Sequence, residues 1–301
     1  MDLGIGLPVC GPYAGPEAIG RAAETAERIG LAAVWTYERL LRPAEPMMLG
    51  VGTVPLPEFQ AAVYDPRETL SYVAARTSRI RLGTSVLNAL FHPPIVLARR
   101  LSTLDRLSGG RLTVGLGQGW MAQEFTATGV PPVRRGAGFA EHIAAMRRVW
   151  GPDPVRFDGR FYRIPEGEAG PKPSRPDGPT LFAGAWAPAA VERAASMGLG
   201  LITVFSDWDT LRSTIATFRN AGSLPVAVHV NGAVTTAPVE DRAPLTGPVR
   251  QVAGELAELA SLGVDHVFWV APDHDPDHLL DALGRLLRDA GEKYTNDRSL
   301  M

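Results

Sequence analysis

The sequence is short of three things. It has one cysteine, Cys10, only two lysines beside 28 arginines, and no apolar run of membrane-spanning length. A single thiol excludes an intramolecular disulfide and suits a reducing compartment, so a cytoplasmic location is expected. A hydrophobic run that stays short excludes a transmembrane helix, so no membrane partner is expected. The opening MDLGIGLPVCG has neither a basic leader nor a long apolar core, and a signal peptide is not expected either. The lysine shortage reads as a coding bias. Basic residues gather no further than pairs such as Arg134-Arg135 and Arg147-Arg148, and the formal net charge is −2. Nucleic acid needs a concentrated basic face and is therefore excluded as a partner.

What is present is an ordinary globular composition, 45% hydrophobic and 21% charged over 301 residues. Short apolar stretches at 3–7, 33–36, 81–87, 112–116, 180–183, 201–204, 226–230 and 266–270 read as strands. Between them lie helical patterns at 16–29, 66–75, 93–106, 136–149, 188–197, 209–220, 247–262 and 276–290. Proline near the first turn recurs at Pro16, Pro66, Pro93, Pro188 and Pro276, where its missing N–H costs nothing. Eight strands alternating with eight helices predict a (β/α)₈ barrel, with a doubly wound sheet as the other reading. Two Pro- and Gly-rich stretches, 40–64 after the second strand and 151–179 before the fifth, interrupt the alternation as insertions. Residues 1–301 are therefore expected to form a single barrel domain. Its active site belongs where the strands end.

The stretch SGGRLTVGLGQGWMAQEF (108–125) puts Gly115, Gly117 and Gly119 at alternate positions, followed by Trp120. A dinucleotide fingerprint needs glycines at the first, third and sixth positions, and Trp120 stands at the sixth. At the mouth of a barrel, alternate glycines instead leave backbone bare where a flat ring can approach, or they serve a tight loop. Asp273-His274-Asp275-Pro276-Asp277-His278 has metal-ligand residue types. It also opens the last helix with Asp275 as N-cap and Pro276 in the first turn, and that reading is preferred, so no metal is expected.

In order, RIRLGTSVL (79–87), HPPIVLAR (92–99), TLDRLSGGRL (103–112) and GLGQGW (115–120) resemble the bacterial luciferase-like superfamily. Further likeness lies in AAETAERIGLAAVWTYE (22–38), the GxFY stretch at 159–162, PKP (171–173) and AGAWAPAAVERAA (183–195). The branch it is most similar to is the actinobacterial deazaflavin-dependent oxidoreductases, which use coenzyme F420. The resemblance implies a (β/α)₈ barrel with a deazaflavin or flavin ring in its mouth. It implies a bulge, often with a non-prolyl cis peptide, at Thr84, Ser85 and Val86 against that ring, with Gly115, Gly117, Gly119 and Trp120 beside it. It implies a phosphate loop at Ala183, Gly184, Ala185 and Trp186, where a helix N-terminus favours an anion. A homodimer is implied too, with the second and third helices around Tyr72 and Leu97 as contacts.

The sequence also departs from its relatives. Where several of them carry W-x-x-D/E-H after the second strand, this chain has Trp35-Thr36-Tyr37-Glu38-Arg39. Where the sugar-phosphate dehydrogenases end the glycine stretch in glutamate, it has Trp120. Both halves of that branch's acid/base pair are missing, which disfavours sugar-phosphate oxidation. The remaining candidates for moving a proton are Glu38 and His92, then Tyr37 and Glu124, or solvent. A histidine such as His92 is a common proton carrier, yet His-Pro also serves to enter a helix. Glu38 can equally pair with Arg39. Met47 and Met48 can line a substrate pocket or simply pack, and Arg134, Arg135 and Lys172 can meet an acidic coenzyme tail. The expected function is hydride transfer between F420 and a small organic substrate with a C=C, C=N or carbonyl/alcohol group. The alternatives are a reduced-FMN monooxygenase and a barrel that binds the coenzyme without turnover.

Overall fold

The computed structural model describes residues 1–49, 52–235, 239–240 and 242–297; the side chains of 47–54 and 290–301, Met47 and Met48 among them, lie outside the described residues. Eight parallel strands close into a barrel. They are β1 (Asp2–Gly6), β2 (Ala33–Thr36), β3 (Arg81–Asn88), β4 (Leu112–Gly117), β5 (Thr180–Gly184), β6 (Gly200–Val204), β7 (Val226–Asn231) and β8 (His266–Val270). Each strand pairs with its neighbours in sequence, and β1 closes the ring against β8 with Asp2 opposite His266 and Ile5 opposite Trp269. The (β/α)₈ reading is right, and the doubly wound sheet is not found.

The helices are α1 (Pro16–Ile29), α2 (Pro66–Arg76), α3 (Pro94–Leu107), α4 (Ala122–Thr128), α5 (Ala137–Trp150), α6 (Pro188–Ser196), α7 (Trp208–Arg219), α8 (Val249–Ser261) and α9 (Pro276–Asp297). The proline starts and the left-handed exit of α1 at Gly30 (φ 90°) account for where several of them begin and end. At α9 the Asp275 carboxylate accepts from the Asp277 N–H at 2.9 Å, so it caps that helix. The sequence did not signal α4, which is seven residues long and lies in the loop after β4. The insertions carry small antiparallel hairpins, Met47–Leu49 with Gly52–Val54 and Val155–Asp158 with Arg163–Gly167. Among the described residues, no helix is long and apolar enough to cross a membrane.

Two packing layers follow from the period-2 strands. Outward residues such as Val34, Leu82, Val114, Val226, Val228 and Val267 join the helices in the main core. Ala33, Trp35, Phe182, Ile202, Ala227 and Phe268 point inward and fill the barrel. Trp35 stacks on Phe268 with centroids 4.4 Å apart. It fits because both neighbouring strands are bare beside it: a Cβ at Gly83 would stand 2.3 Å from its ring, and one at Gly4 3.0 Å. This aromatic pair is the floor on which the mouth is built.

Candidate active site

The register of β3 against β4 shifts between Thr84 and Leu87, and the Ser85–Val86 peptide is cis. The bulge implied by the resemblance is therefore present in the backbone. Thr84 is wholly buried; its hydroxyl donates to the Gly115 carbonyl at 2.9 Å and accepts from the Gly115 N–H at 3.0 Å. That fixes the base of the bulge to β4. Ser85 and Val86 are half-buried and form its crest. On the other side the Glu38 N–H donates to the Val86 carbonyl at 3.1 Å.

The glycines have identifiable neighbours. A Cβ on Gly117 would stand 2.6 Å from Val86 Cγ2, and one on Gly184 2.8 Å from Val86 Cγ1. At Gly115 it would meet the Thr84 carbonyl and Ile202. Much of the space these residues leave is thus taken by the bulge itself. Gly119 has φ +75° and Phe91 and Phe125 close by, so loop geometry and crowding both exclude a larger residue there.

Glu38 and His92 come together. The Glu38 carboxylate is buried; one oxygen lies 2.7 Å from His92 Nε2 and the other accepts from the Asn88 N–H at 2.8 Å. His92 Nδ1 faces the Arg67 guanidinium at 3.4 Å, and Arg67 is bound in turn to Asp65. From α5, the wholly buried His142 hydrogen-bonds the His92 carbonyl through Nε2 at 2.9 Å, and burial pushes its pKa down to about 4. The alternative partner for Glu38, Arg39, turns elsewhere. Its guanidinium makes a 3.0 Å ion pair with the wholly buried Glu124, donates to Gln60 at 3.1 Å, and lies 5.1 Å above the Trp120 ring. The two positions that depart from the dehydrogenase pattern therefore touch each other. Tyr37 is bound to Cys10 Sγ at 3.0 Å, and burial pushes its phenol well above the usual range.

At the fifth strand's exit Ala183 and Ala185 are buried, and the Ala185 N–H is spent on the Ile202 carbonyl at 3.0 Å. Trp186 is 62% exposed, directly before Ala187, the N-cap of α6. Three arginines stand at the segment leading into α5. Arg135 lies over the Phe125 ring and Arg134 over Phe161 and Tyr162, while the Arg193 guanidinium comes within 3.6 Å of the Cβ position at Gly136. None of the three is in an ion pair among the described residues. Lys172 does not join them. It donates to the Val149 carbonyl at the far end of α5 and to Asp153, away from the mouth.

Sequence reasoning missed His229 and Asn231 on β7. His229 Nδ1 lies 3.2 Å from Ser85 Oγ, and its Nε2 3.1 Å from Asn231 Oδ1. The signal was available, since in VAVHVN the alternation puts Ala227, His229 and Asn231 on one face, opposite the three valines.

A closed parallel barrel with buried charge and a bulged strand at its mouth has the architecture of a barrel enzyme. The particular family follows from comparison: the luciferase-like monooxygenase profile matches residues 1–243, and the chain belongs to that family. It is 34% identical over 227 residues to an uncharacterized protein of Mycobacterium tuberculosis, covering 74% of each chain. It is 30% identical over 204 residues to the F420-dependent glucose-6-phosphate dehydrogenase of Amycolatopsis mediterranei, covering 66% of this chain and 57% of that one. With the FMNH(2)-dependent dimethylsulfone monooxygenase of Pseudomonas putida it shares 27% over 182 residues, 58% of this chain and 50% of the relative. In fold it matches the monooxygenase RslO1 of Streptomyces bottropensis with a TM-score of 0.80 at 22% identity, covering 96% of this chain and 99% of that one. The chain is thus of an oxidoreductase family whose members include F420- and flavin-dependent enzymes.

Proposed function

We propose that this protein transfers a hydride between coenzyme F420 and a small organic substrate. The residues present suit such a group. The crest at Ser85 and Val86 offers a half-buried seat for a flat ring above the Trp35–Phe268 floor. The start of α6, after Gly184 and Ala185, offers backbone N–H groups and a positive dipole end to a phosphate. When bound, the coenzyme supplies a ring that gives or accepts a hydride.

The observation that carries the choice of F420 is the arginine rim. FMN ends at one phosphate, for which a helix N-terminus suffices. F420 continues into an acidic lactyl-glutamate tail, and Arg134, Arg135 and Arg193, without carboxylate partners among the described residues, suit a longer anion leaving the mouth. The 30% identity to an F420-dependent enzyme favours the same reading. The second reading, oxygenation with reduced FMN, is favoured by the likeness to the dimethylsulfone monooxygenase. In either reading the substrate is a small molecule, and a buried lone thiol suits a cytoplasmic enzyme.

The test is titration of the purified protein with both coenzymes, oxidised and reduced. The expected result is tighter binding of F420, weakened several-fold by the pair Arg135→Ala and Arg193→Ala, while FMN affinity hardly changes. Tighter binding of FMN, with oxygen uptake from reduced FMN in the presence of a substrate, overturns the assignment.

A further inference from the structure

The end of the barrel opposite the mouth holds a cleft of about 220 Å³, lined chiefly by Arg81, Thr113, Arg175, Thr180 and His266. Arg81, Thr180 and His266 open β3, β5 and β8, and Thr113 is the second residue of β4. Strand alternation turns these four inward, on the same faces as Gly83, Phe182, Phe268 and Gly115. Trp35, Phe182 and Phe268 are buried in the layer above, so the cleft is separate from the mouth. Its side chains are rich in donors. The Thr180 hydroxyl accepts from Arg175 Nη2 at 3.0 Å, which leaves its own hydrogen to give, and Thr113 carries a second hydroxyl. Arg81 spends Nη2 on Asp2 and Nε on the Ala32 carbonyl, and Nη1 remains. Arg111, at the edge, gives its N–H groups to the carbonyls of Ala74, Thr77, Ile80 and Ser108 and to the Thr77 hydroxyl. Neither Arg111 nor Arg175 is in an ion pair among the described residues. No carboxylate lines the cleft among the described residues, and Asp2, beside it, is held by Arg81.

We propose that this cleft is a second binding site, for a phosphate group, held by Arg175, Arg81 and the hydroxyls of Thr113 and Thr180. Guanidinium and hydroxyl donors facing one space, with no carboxylate among them, match a ligand that only accepts and carries negative charge. The uncompensated charges of Arg175 and Arg111 add an attractive field. The size agrees. A single water needs only about 10–15 Å³ on the same measure, whereas cofactor pockets usually run to roughly 300–1,000 Å³. The cleft therefore takes free phosphate or a phosphate on a short organic stem, and not a second coenzyme. A ligand there joins the starts of β3, β4 and β5, which meet only in the closed barrel, so binding favours the folded state. The site does not depend on which coenzyme the mouth takes.

Calorimetric titration of the full chain with inorganic phosphate and, separately, with glycerol phosphate tests the site. Saturable binding is expected, with a Kd of about 1 mM or tighter. Arg175→Ala, at an exposed position, should weaken it about tenfold, the usual size for a lost charge-assisted hydrogen bond. Thr113→Val, which keeps the side-chain shape, should weaken it several-fold. The pair Arg135→Ala and Arg193→Ala at the mouth should leave it unchanged, which separates the cleft from the phosphate seat at α6. His266 reports from inside the cleft by NMR. Burial and Arg81 push its pKa down, against Asp2 and Asp265, with the amino terminus adding to the lowering. A bound anion favours the imidazolium, so phosphate should move the ring resonances and raise the titration midpoint. Tighter binding of glycerol phosphate assigns the site to a phosphate monoester, and tighter binding of inorganic phosphate assigns it to the free ion. No saturable binding, a His266 signal that phosphate leaves unmoved, or natural affinity in Arg175→Ala overturns the site.

Discussion

Glu124 keeps a carboxylate where no water reaches it, with one oxygen held by Arg39 and the Leu40 N–H and the other without a partner among the described residues. Such a pair is costly to assemble and costlier to break, because removing one member leaves an uncompensated buried charge. Arg39→Met is therefore expected to destabilise the protein by about 3–5 kcal/mol in urea unfolding. The double variant Arg39→Met, Glu124→Leu should recover much of that loss, because it removes both charges. A loss below about 1 kcal/mol for the single variant would show that water already reaches Glu124. At this scale the sequence marked positions 39 and 120 as departures from the relatives. That the guanidinium would lie over the indole and bind a glutamate on α4 was not readable, because nothing local links those residues.

Elements are joined by side chains that accept several backbone donors. At the end of α1, the Glu27 carboxylate takes the N–H groups of Ser78, Arg79 and Ile80, tying that helix to the lead-in of β3. Desolvation is the largest single influence and pushes its pKa up, but the hydrogen bonds together outweigh it and hold the pKa down at about 2. A depressed carboxylate pKa contributes stability above the ordinary value of 4.5, and that stability is lost as pH falls towards 2. Glu27→Gln should therefore be less stable at neutral pH and flatten the dependence of the urea midpoint on pH between those values. Parallel acid limbs for the two proteins would falsify the tie. Glu141 does the same for the second insertion, accepting from Arg160, Phe161 and Tyr162. Strands and long helices were legible because their periods repeat. The helix α4 and the two hairpins were not, since each is too short for a period to show.

For the whole molecule, the homodimer stays a proposal, but its contact residues change. Leu97 is completely buried with Ala98, Leu101 and Leu104 on the inner face of α3, so it cannot meet a partner. Its neighbours Ile95 and Val96 point outward, 38% and 41% exposed, and Tyr72 on the adjacent α2 is 37% exposed. Exposed apolar side chains gathered on adjacent helices are the material of an interface. A dimer is expected in light scattering at micromolar concentration, and Ile95→Asp with Val96→Asp should convert it to a folded monomer. A monomeric natural protein would refute this.

The sequence by itself determined the barrel, because eight apolar stretches alternating with eight amphipathic ones leave few ways to bury both faces of a parallel sheet. Its motifs also singled out the bulge at Ser85 and Val86, since the likeness lay in consecutive residues. Only closure of the barrel brought His229 to Ser85, set Val86 against Gly117 and Gly184, and carried Arg193 to the rim while leaving Lys172 at the far end. Those pairings join residues distant along the chain. Periodicity states which face a side chain takes, but which neighbour it meets across that face is decided by strand register and ring closure.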